Sequence, residues 1–272
     1  MTDKLDWQGR VGQEWAEKAA YLDAMMRPIG VAGLTALGDI SAKSVLDIGC
    51  GAGDTSRALA ALGATVTGAD ISPDLLDVAR MGGGAKYLLA DASRDDLGGP
   101  YDAVYSRCGA MFFADPVAGW RHIRQAARGG ADLSIVCWAP AKDNAWVALP
   151  VKIGKSIAGD DAFSGSPPNA PGPFGWADTG YFSAILNDAG WQGVQWQGFE
   201  TPVEIGAGTD PDPIERAVFF MTRIGSLARG LAHLSDPLRD EIKAALRVAF
   251  VEYVQNDKVM LPAKAWIITG KA

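Results

Sequence analysis

An α/β fold, with a mostly parallel sheet covered by helices on both faces, is predicted by three observations. From Ser44 onward, short apolar strands alternate with amphipathic helical stretches, the pattern that builds parallel sheets. The first strand runs into three alternating glycines, Gly49, Gly51 and Gly53, and such a turn lets backbone approach a ligand closely. Three successive strands then carry an acid at or beside their ends, Asp47, Asp70 and Asp91.

Bulk properties set the frame. A chain of 272 residues can form one α/β domain with additions, or two small domains. Its net charge of −7 and the lack of any basic stretch argue against nucleic acid as a partner. The three cysteines, Cys50, Cys108 and Cys137, have no metal-ligand spacing and read as buried thiols of a reducing compartment. The polar opening, Met1 to Gly12, does not read as a signal peptide, and no apolar run is long enough to span a bilayer. A cytoplasmic location is expected.

Along the chain, Asp6 to Leu37 reads as helical, with Trp15, Ala19, Leu22, Met25 and Met26 on one stripe and Pro28 expected to break or kink it. Residues 1–40 are expected to act as a helical lid bearing Trp7, Trp15 and Tyr21, although a stripe of this kind also suits plain core packing. The main domain is expected over 41–272, with insertions at about 139–177 and 211–255. Its first strand is Val45 to Ile48, followed by a helix from near Asp54. The second is Ala64 to Ala69, with Ser72 and Pro73 placed to cap and start the next helix. Lys86 to Ala90 is the third strand and Tyr101 to Ser106 the fourth. Pro116 to Arg128 reads as a helix stopped by Gly129-Gly130, and Ala131 to Trp138 as the fifth strand. Ala139 to Ala177 is the least regular stretch, its G-S-P-P-N-A-P-G-P-F-G-W portion rich in turn formers, and it reads as a lid or pocket wall with Trp146, Phe174 and Trp176 as candidate lining. A helix over Asp178 to Ala189, a strand over Trp191 to Ile205, two or more helices within Pro211 to Tyr253 and a strand from Val259 to Thr269 complete the chain.

Charge narrows the ligand of the glycine turn. A dinucleotide turn needs G-x-G-x-x-G and a helix start kept free for pyrophosphate. Here the glycines are spaced G-x-G-x-G between Asp47 and Asp54, which would repel a pyrophosphate but suit a ligand bearing sulfonium and ammonium groups. S-adenosylmethionine is such a ligand. Asp70 can accept hydrogen bonds from both ribose hydroxyls, a role that nicotinamide enzymes also give to an acid at this place.

The stretch S-V-L-D-I-G-C-G-A-G-D-T-S, with G-A-D-I-S-P-D and L-L-A-D-A-S after it, resembles the class I S-adenosylmethionine-dependent methyltransferases. The segments S-R-C-G-A-M-F-F-A-D-P, V-C-W-A-P and L-P-A-K-A-W-I-I-T are similar to a bacterial group related to the ubiquinone/menaquinone-biosynthesis enzymes. This resemblance implies a Rossmann-like, seven-stranded sheet with its last strand antiparallel and extra helices over the pocket. It implies cofactor contacts at Asp47, Gly49, Gly51, Gly53, Asp70, Ile71 and Arg107, with Asp91 and Ala92 facing the adenine. No metal is expected. Neither N-P-P-Y nor D-P-P-Y follows the fourth strand, and no Pro-Cys nucleophile is present, so base-methylating chemistry is not indicated.

The expected acceptor is a small, largely apolar or aromatic molecule, in a pocket of Arg107, Phe112, Phe113, Trp138 and Trp146. Arg107 could orient an anionic group or pair with a nearby carboxylate. The catalytic residue is unassigned, with Tyr21, Asp143 and His233 as candidates. A homo-oligomer is allowed by this reading. Its rivals are a non-catalytic cofactor-binding protein and an NAD-dependent oxidoreductase.

Overall fold

The computed structural model describes residues 7–272. Two helices open the described chain, α1 (Arg10–Glu17) and α2 (Ala19–Ala36). The alternating core follows as β1 (Ser44–Ile48), α3 (Asp54–Ala61), β2 (Thr65–Asp70), α4 (Pro73–Gly82), β3 (Lys86–Leu89), β4 (Tyr101–Arg107), α5 (Pro116–Gln125) and β5 (Ala127–Trp138). Beyond it come α6 (Ala145–Ala158), α7 (Thr179–Asp188), β6 (Gln192–Ile205), α8 (Pro213–Met221), α9 (Gly225–Leu231), α10 (Asp236–Phe250), β7 (Val254–Gln255) and β8 (Lys258–Lys271).

The sheet order is β3-β2-β1-β4-β5-β8-β6, with the two-residue β7 pairing β8 off this path. Among the described residues the sheet thus has eight strands, the expected seven plus this short addition. β1 to β5 pair in parallel, and β8 lies antiparallel between β5 and β6. The strand order reverses between β1 and β4. A crevice therefore opens there, outside the carboxyl ends of the strands, where open α/β sheets bind ligands.

Local sequence explains the inner strands. Val45, Leu46 and Ile48 are buried on both faces of the sheet, as a central parallel strand requires. Ser72 accepts the Leu75 N–H and Pro73 occupies the first position of α4, the expected cap. Asp115 caps α5 and Asp178 caps α7 in the same way.

Four boundaries differ from expectation. Asp6, where the sequence reading starts the first helix, lies outside the described residues; the helical run breaks at Lys18, and Pro28 sits inside α2. Tertiary contacts hold α2 through the proline: Ile29 is fully buried, Tyr105 Oη donates to Gly30 O at 3.1 Å, and Ser134 Oγ donates to Gly33 O at 2.8 Å. A Cβ on Gly33 would lie 2.3 Å from Val136 Cγ2, so α2 rests directly on the sheet. α5 ends at Gln125 rather than Arg128, because Tyr101 N–H takes Ala126 O and pairs β4 with β5 from Ala127 onward. Gly129 and Gly130 thus belong to β5. The stretch read as irregular contains the 14-residue α6, which runs through Pro150. Phe163 wedges between α6 and α9, where a Cβ on Gly154 or Gly230 would come within 2.6 or 2.2 Å of its ring.

Aromatic contacts fix the connections around the sheet. Trp120, Trp176, Trp191 and Phe182 are all nearly or fully buried and pack ring to ring. Trp191 Nε1 donates to Trp120 O and Trp266 Nε1 to Ala177 O, so these two indoles keep hydrogen-bond partners. Among the described residues, no helix is long and apolar enough to cross a membrane.

Candidate cofactor and acceptor cavity

At the crevice between β1 and β4 lies a cavity of about 620 Å³. Its floor is the glycine turn. Gly49, Gly51 and Gly53 all have positive φ, at 66°, 54° and 82°. A Cβ on Gly49 would lie 2.9 Å from Gly109 Cα, so the turns after β1 and β4 meet only because both residues lack side chains. At Gly51 a Cβ would meet nothing within 4 Å. That open space is the cavity itself, and Gly51 lines it.

Asp70 stands beside this floor. Its Oδ2 accepts Gly51 N–H at 2.8 Å and its Oδ1 accepts Ser72 N–H at 2.9 Å. The carboxylate is fixed by backbone on both sides, and each oxygen keeps a lone pair for a ligand hydroxyl. Burial raises its pKa above the ordinary carboxylate value, opposed by those backbone N–H groups. Ile71, Asp91 and Ala92 also line the cavity. Asp91 additionally accepts Ser93 N–H and Oγ at 3.1 and 2.6 Å and pairs with Arg94 at 3.1 Å.

Two expected contacts lie elsewhere. Asp47 is fully buried and is not a lining residue. Thr55 Oγ1 and Ser56 Oγ donate to its Oδ2 at 2.8 and 2.6 Å, tying the end of β1 to the first turn of α3. Burial raises its pKa to about 6. Gly53 is also off the lining; a Cβ there would strike Tyr87 Oη at 2.5 Å, so it serves the packing of α3.

The opposite walls come from α1, α2 and the loop after β4. Trp7, Trp15, Leu22 and Met26 face Phe112, Phe113 and Ala114 across the cavity, with Pro171 at its edge. Trp7 packs edge-on against Trp15 at 5.2 Å and Phe112 at 5.5 Å. Arg107 lines the cavity too, but as an ion-paired group. Its Nη2 donates to Asp23 Oδ1 at 2.6 Å and its Nη1 to Asp54 Oδ2 at 3.1 Å. Of the two readings of this arginine, the carboxylate pair is the one observed. Burial alone would lower its pKa, but Asp23 and its other neighbours outweigh this and hold the pKa above its ordinary value. Cys108, at φ 57°, lines the same region, and burial pushes its thiol up to about 12, so it is not a nucleophile at neutral pH.

The remaining expected pocket residues are not brought together. Trp138 is buried and packs on Trp146, which stacks on Phe174. None of these three lines the cavity, and neither does Trp176. Trp146 stays beside Trp138 at the end of β5 but on the side away from the cavity lining, and its Nε1 donates to Asn144 Oδ1. Tyr21 packs against the core, Asp143 borders a shallow groove with Glu200 and Lys264, and His233 is exposed after α9. No side chain of the three reaches the cavity. Asp23 was the acid the sequence did not single out; its signal was its place four residues after Ala19 and three before Met26, both of which line the cavity with it. Among the described residues, no cluster of three or more His, Cys, Asp or Glu could hold a metal ion.

Comparison with known proteins follows the same outline. Residues 45–130 match the family model described as a methyltransferase domain. A ubiquinone biosynthesis O-methyltransferase of Shewanella pealeana is 45% identical over 74 residues, covering 25% of this chain and 31% of that protein. An uncharacterised protein of Mycobacterium tuberculosis is 30% identical over 136 residues, covering 47% of this chain and 50% of its own length. The chain therefore spans 31% to 50% of the length of these curated relatives. Among solved structures, the YcgJ protein of Bacillus subtilis superposes with a TM-score of 0.53 at 18% identity, covering 90% of this chain and 97% of that one. Phosphoethanolamine N-methyltransferase 2 of Haemonchus contortus, in complex with S-adenosyl-L-methionine, gives 0.55 at 16% identity, covering 97% of this chain and 58% of that one. Residues 45–130, which contain the glycine turn and Asp70, thus match a methyltransferase domain, in keeping with the resemblance to the class I S-adenosylmethionine-dependent enzymes.

Proposed function

We propose that this protein transfers the methyl group of S-adenosylmethionine to a small, largely apolar or aromatic molecule. The observation that carries this reading is the continuity of one cavity: Gly49, Gly51 and Asp70 form one side, and Trp7, Trp15, Phe112 and Phe113 the other. When bound, S-adenosylmethionine supplies an electrophilic methyl group on a sulfonium. Asp70 would hold the ribose, Ile71 and Ala92 would flank the adenine, and the glycine turn would admit the chain of the cofactor close to backbone. The aromatic walls would exclude water and orient a flat acceptor for in-line approach, where positioning supplies much of the rate.

The partial likeness to a ubiquinone biosynthesis O-methyltransferase supports a small-molecule acceptor of this kind. In this reading α1 and the first turns of α2 form the lid, since Trp7, Trp15 and Leu22 close the cavity from outside the sheet. The free thiols of Cys50, Cys108 and Cys137 favour work in the reducing cytoplasm. The test is transfer of labelled methyl from S-adenosylmethionine to a panel of simple phenols, thiols and amines. An acceptor-dependent product with matching S-adenosylhomocysteine is expected; cofactor binding with no product from any acceptor would favour a non-catalytic binding protein.

A further inference from the structure

Resting on the cofactor and acceptor reading above, we infer that Asp23 and Asp54 withhold Arg107 from the acceptor, so that the cavity takes uncharged or cationic aromatic molecules and rejects those bearing carboxylate or phosphate. Arg107 is the one cation among the described lining residues, set against the lining acids Asp23, Asp70 and Asp91. Its guanidinium is spent on two carboxylates, at 2.6 and 3.1 Å, and its side chain is 6% exposed. It is also held in place from above. A Cβ on Gly30 would lie 3.1 Å from Arg107 Cδ and 3.3 Å from Nη1, so α2 presses on the side chain and leaves it little room to swing toward a ligand.

An anionic acceptor would have to give up its hydration with no unpaired cation among these residues to receive it, an unfavourable exchange in an apolar enclosure. The rest of the wall strengthens the bias. Trp7, Trp15, Phe112 and Phe113 offer ring surface, whose negative face favours cations over anions. Discrimination of this type works by leaving the wrong ligand's charge unpaired. Asp23 is the residue that sets it, because it approaches Arg107 from α2, outside the glycine-turn segment that serves the cofactor.

The experiment uses quenching of tryptophan fluorescence in protein saturated with S-adenosylhomocysteine. The probes are three molecules of one shape, p-ethylphenol, p-ethylbenzylamine and p-ethylbenzoate, together with phosphoethanolamine. The phenol or the amine is expected to bind about tenfold or more tightly than the benzoate, and phosphoethanolamine not measurably. In Asp23→Asn, which frees one face of Arg107, the benzoate should gain at least about fivefold relative to the phenol. Equal binding of phenol and benzoate by the wild type overturns the proposal, and so does an unchanged ratio in Asp23→Asn. S-adenosylhomocysteine affinity, measured separately by calorimetry, keeps the two levels apart. Failure of the wild type to bind it would overturn the cofactor reading, and failure of every ring probe would overturn the aromatic acceptor.

Discussion

Asp47→Asn should stabilise the protein at neutral pH, although the aspartate belongs to the motif that identifies the fold. The side chain is fully buried, Oδ2 takes two hydroxyl hydrogen bonds, and among the described residues Oδ1 has no partner. Burial lifts its pKa from 3.8 to about 6, so the folded protein holds this proton more tightly than the unfolded chain does. Below pH 4 both states are protonated and the group is neutral in its effect. As pH rises from about 4 to 6, the unfolded chain ionises first and stability falls; above 6 the penalty is constant. A shift of about two units corresponds to roughly 3 kcal/mol at pH 7 and above.

Asparagine keeps the shape and removes the charge, and Thr55 and Ser56 hydroxyls can turn to accept its amide hydrogens. A gain of about 1 to 3 kcal/mol at pH 7.5 is expected, less whatever the altered hydrogen bonds lose. Denaturant unfolding of both proteins between pH 4 and 8 measures it, and the difference between them cancels the other titrating groups. The advantage of the variant should shrink as pH falls through 6 and vanish near pH 4. A variant less stable at pH 7.5, or a difference that does not change with pH, would refute the reasoning.

Two further substitutions test the anchoring of α2. Arg107→Met leaves the carboxylate of Asp23 without its arginine beside an apolar wall and Asp54 with only the exposed Arg27 at 3.4 Å, and urea denaturation should show a loss of about 3 to 5 kcal/mol at neutral pH, as for other broken buried pairs. Asp23 already has its pKa raised by burial, with Arg107 acting against that rise, so the loss should lessen at low pH where the carboxylates protonate. Gly33→Ala puts a methyl group 2.3 Å from Val136 Cγ2 and 3.1 Å from Tyr105 Oη, and thermal unfolding should show destabilisation of about 1 to 3 kcal/mol.

The glycine-turn half of the cavity was legible because its geometry is local. A strand, a turn that needs positive φ, and an acid at the next strand end occupy fixed positions relative to one another, so Gly49, Gly51, Asp70, Ile71, Asp91 and Ala92 fall on one cavity as their order along the chain suggests. The role of Asp47 was less legible. Its place beside the turn suggested a contact with the ligand, but the residues Thr55 and Ser56 turn it inward. The aromatic half of the cavity depends on where distant segments pack. Phe112 and Phe113 follow β4 directly and were found, whereas Trp138 and Trp146 were assigned on proximity to a strand end and pack together on its side away from the cavity lining. α6 itself was hidden by the run of turn formers at 165–176, which made all of 139–177 read as irregular, while Pro150 and Gly154 inside the helix are accommodated by packing, the glycine by the ring of Phe163. Pro28 misled in the same way, because contacts from Tyr105 and Ser134 to α2 are invisible in a local window.

The central claim, that the glycine turn and Asp70 hold S-adenosylmethionine, is tested most directly by calorimetric titration of wild type and Asp70→Ala with S-adenosylmethionine and, separately, NAD. Selective binding of S-adenosylmethionine by the wild type is predicted, weakened at least about 30-fold in the variant through loss of charge-assisted bonds to the ribose hydroxyls. Binding of NAD in its place, or equal affinity of the two proteins for S-adenosylmethionine, would contradict the account.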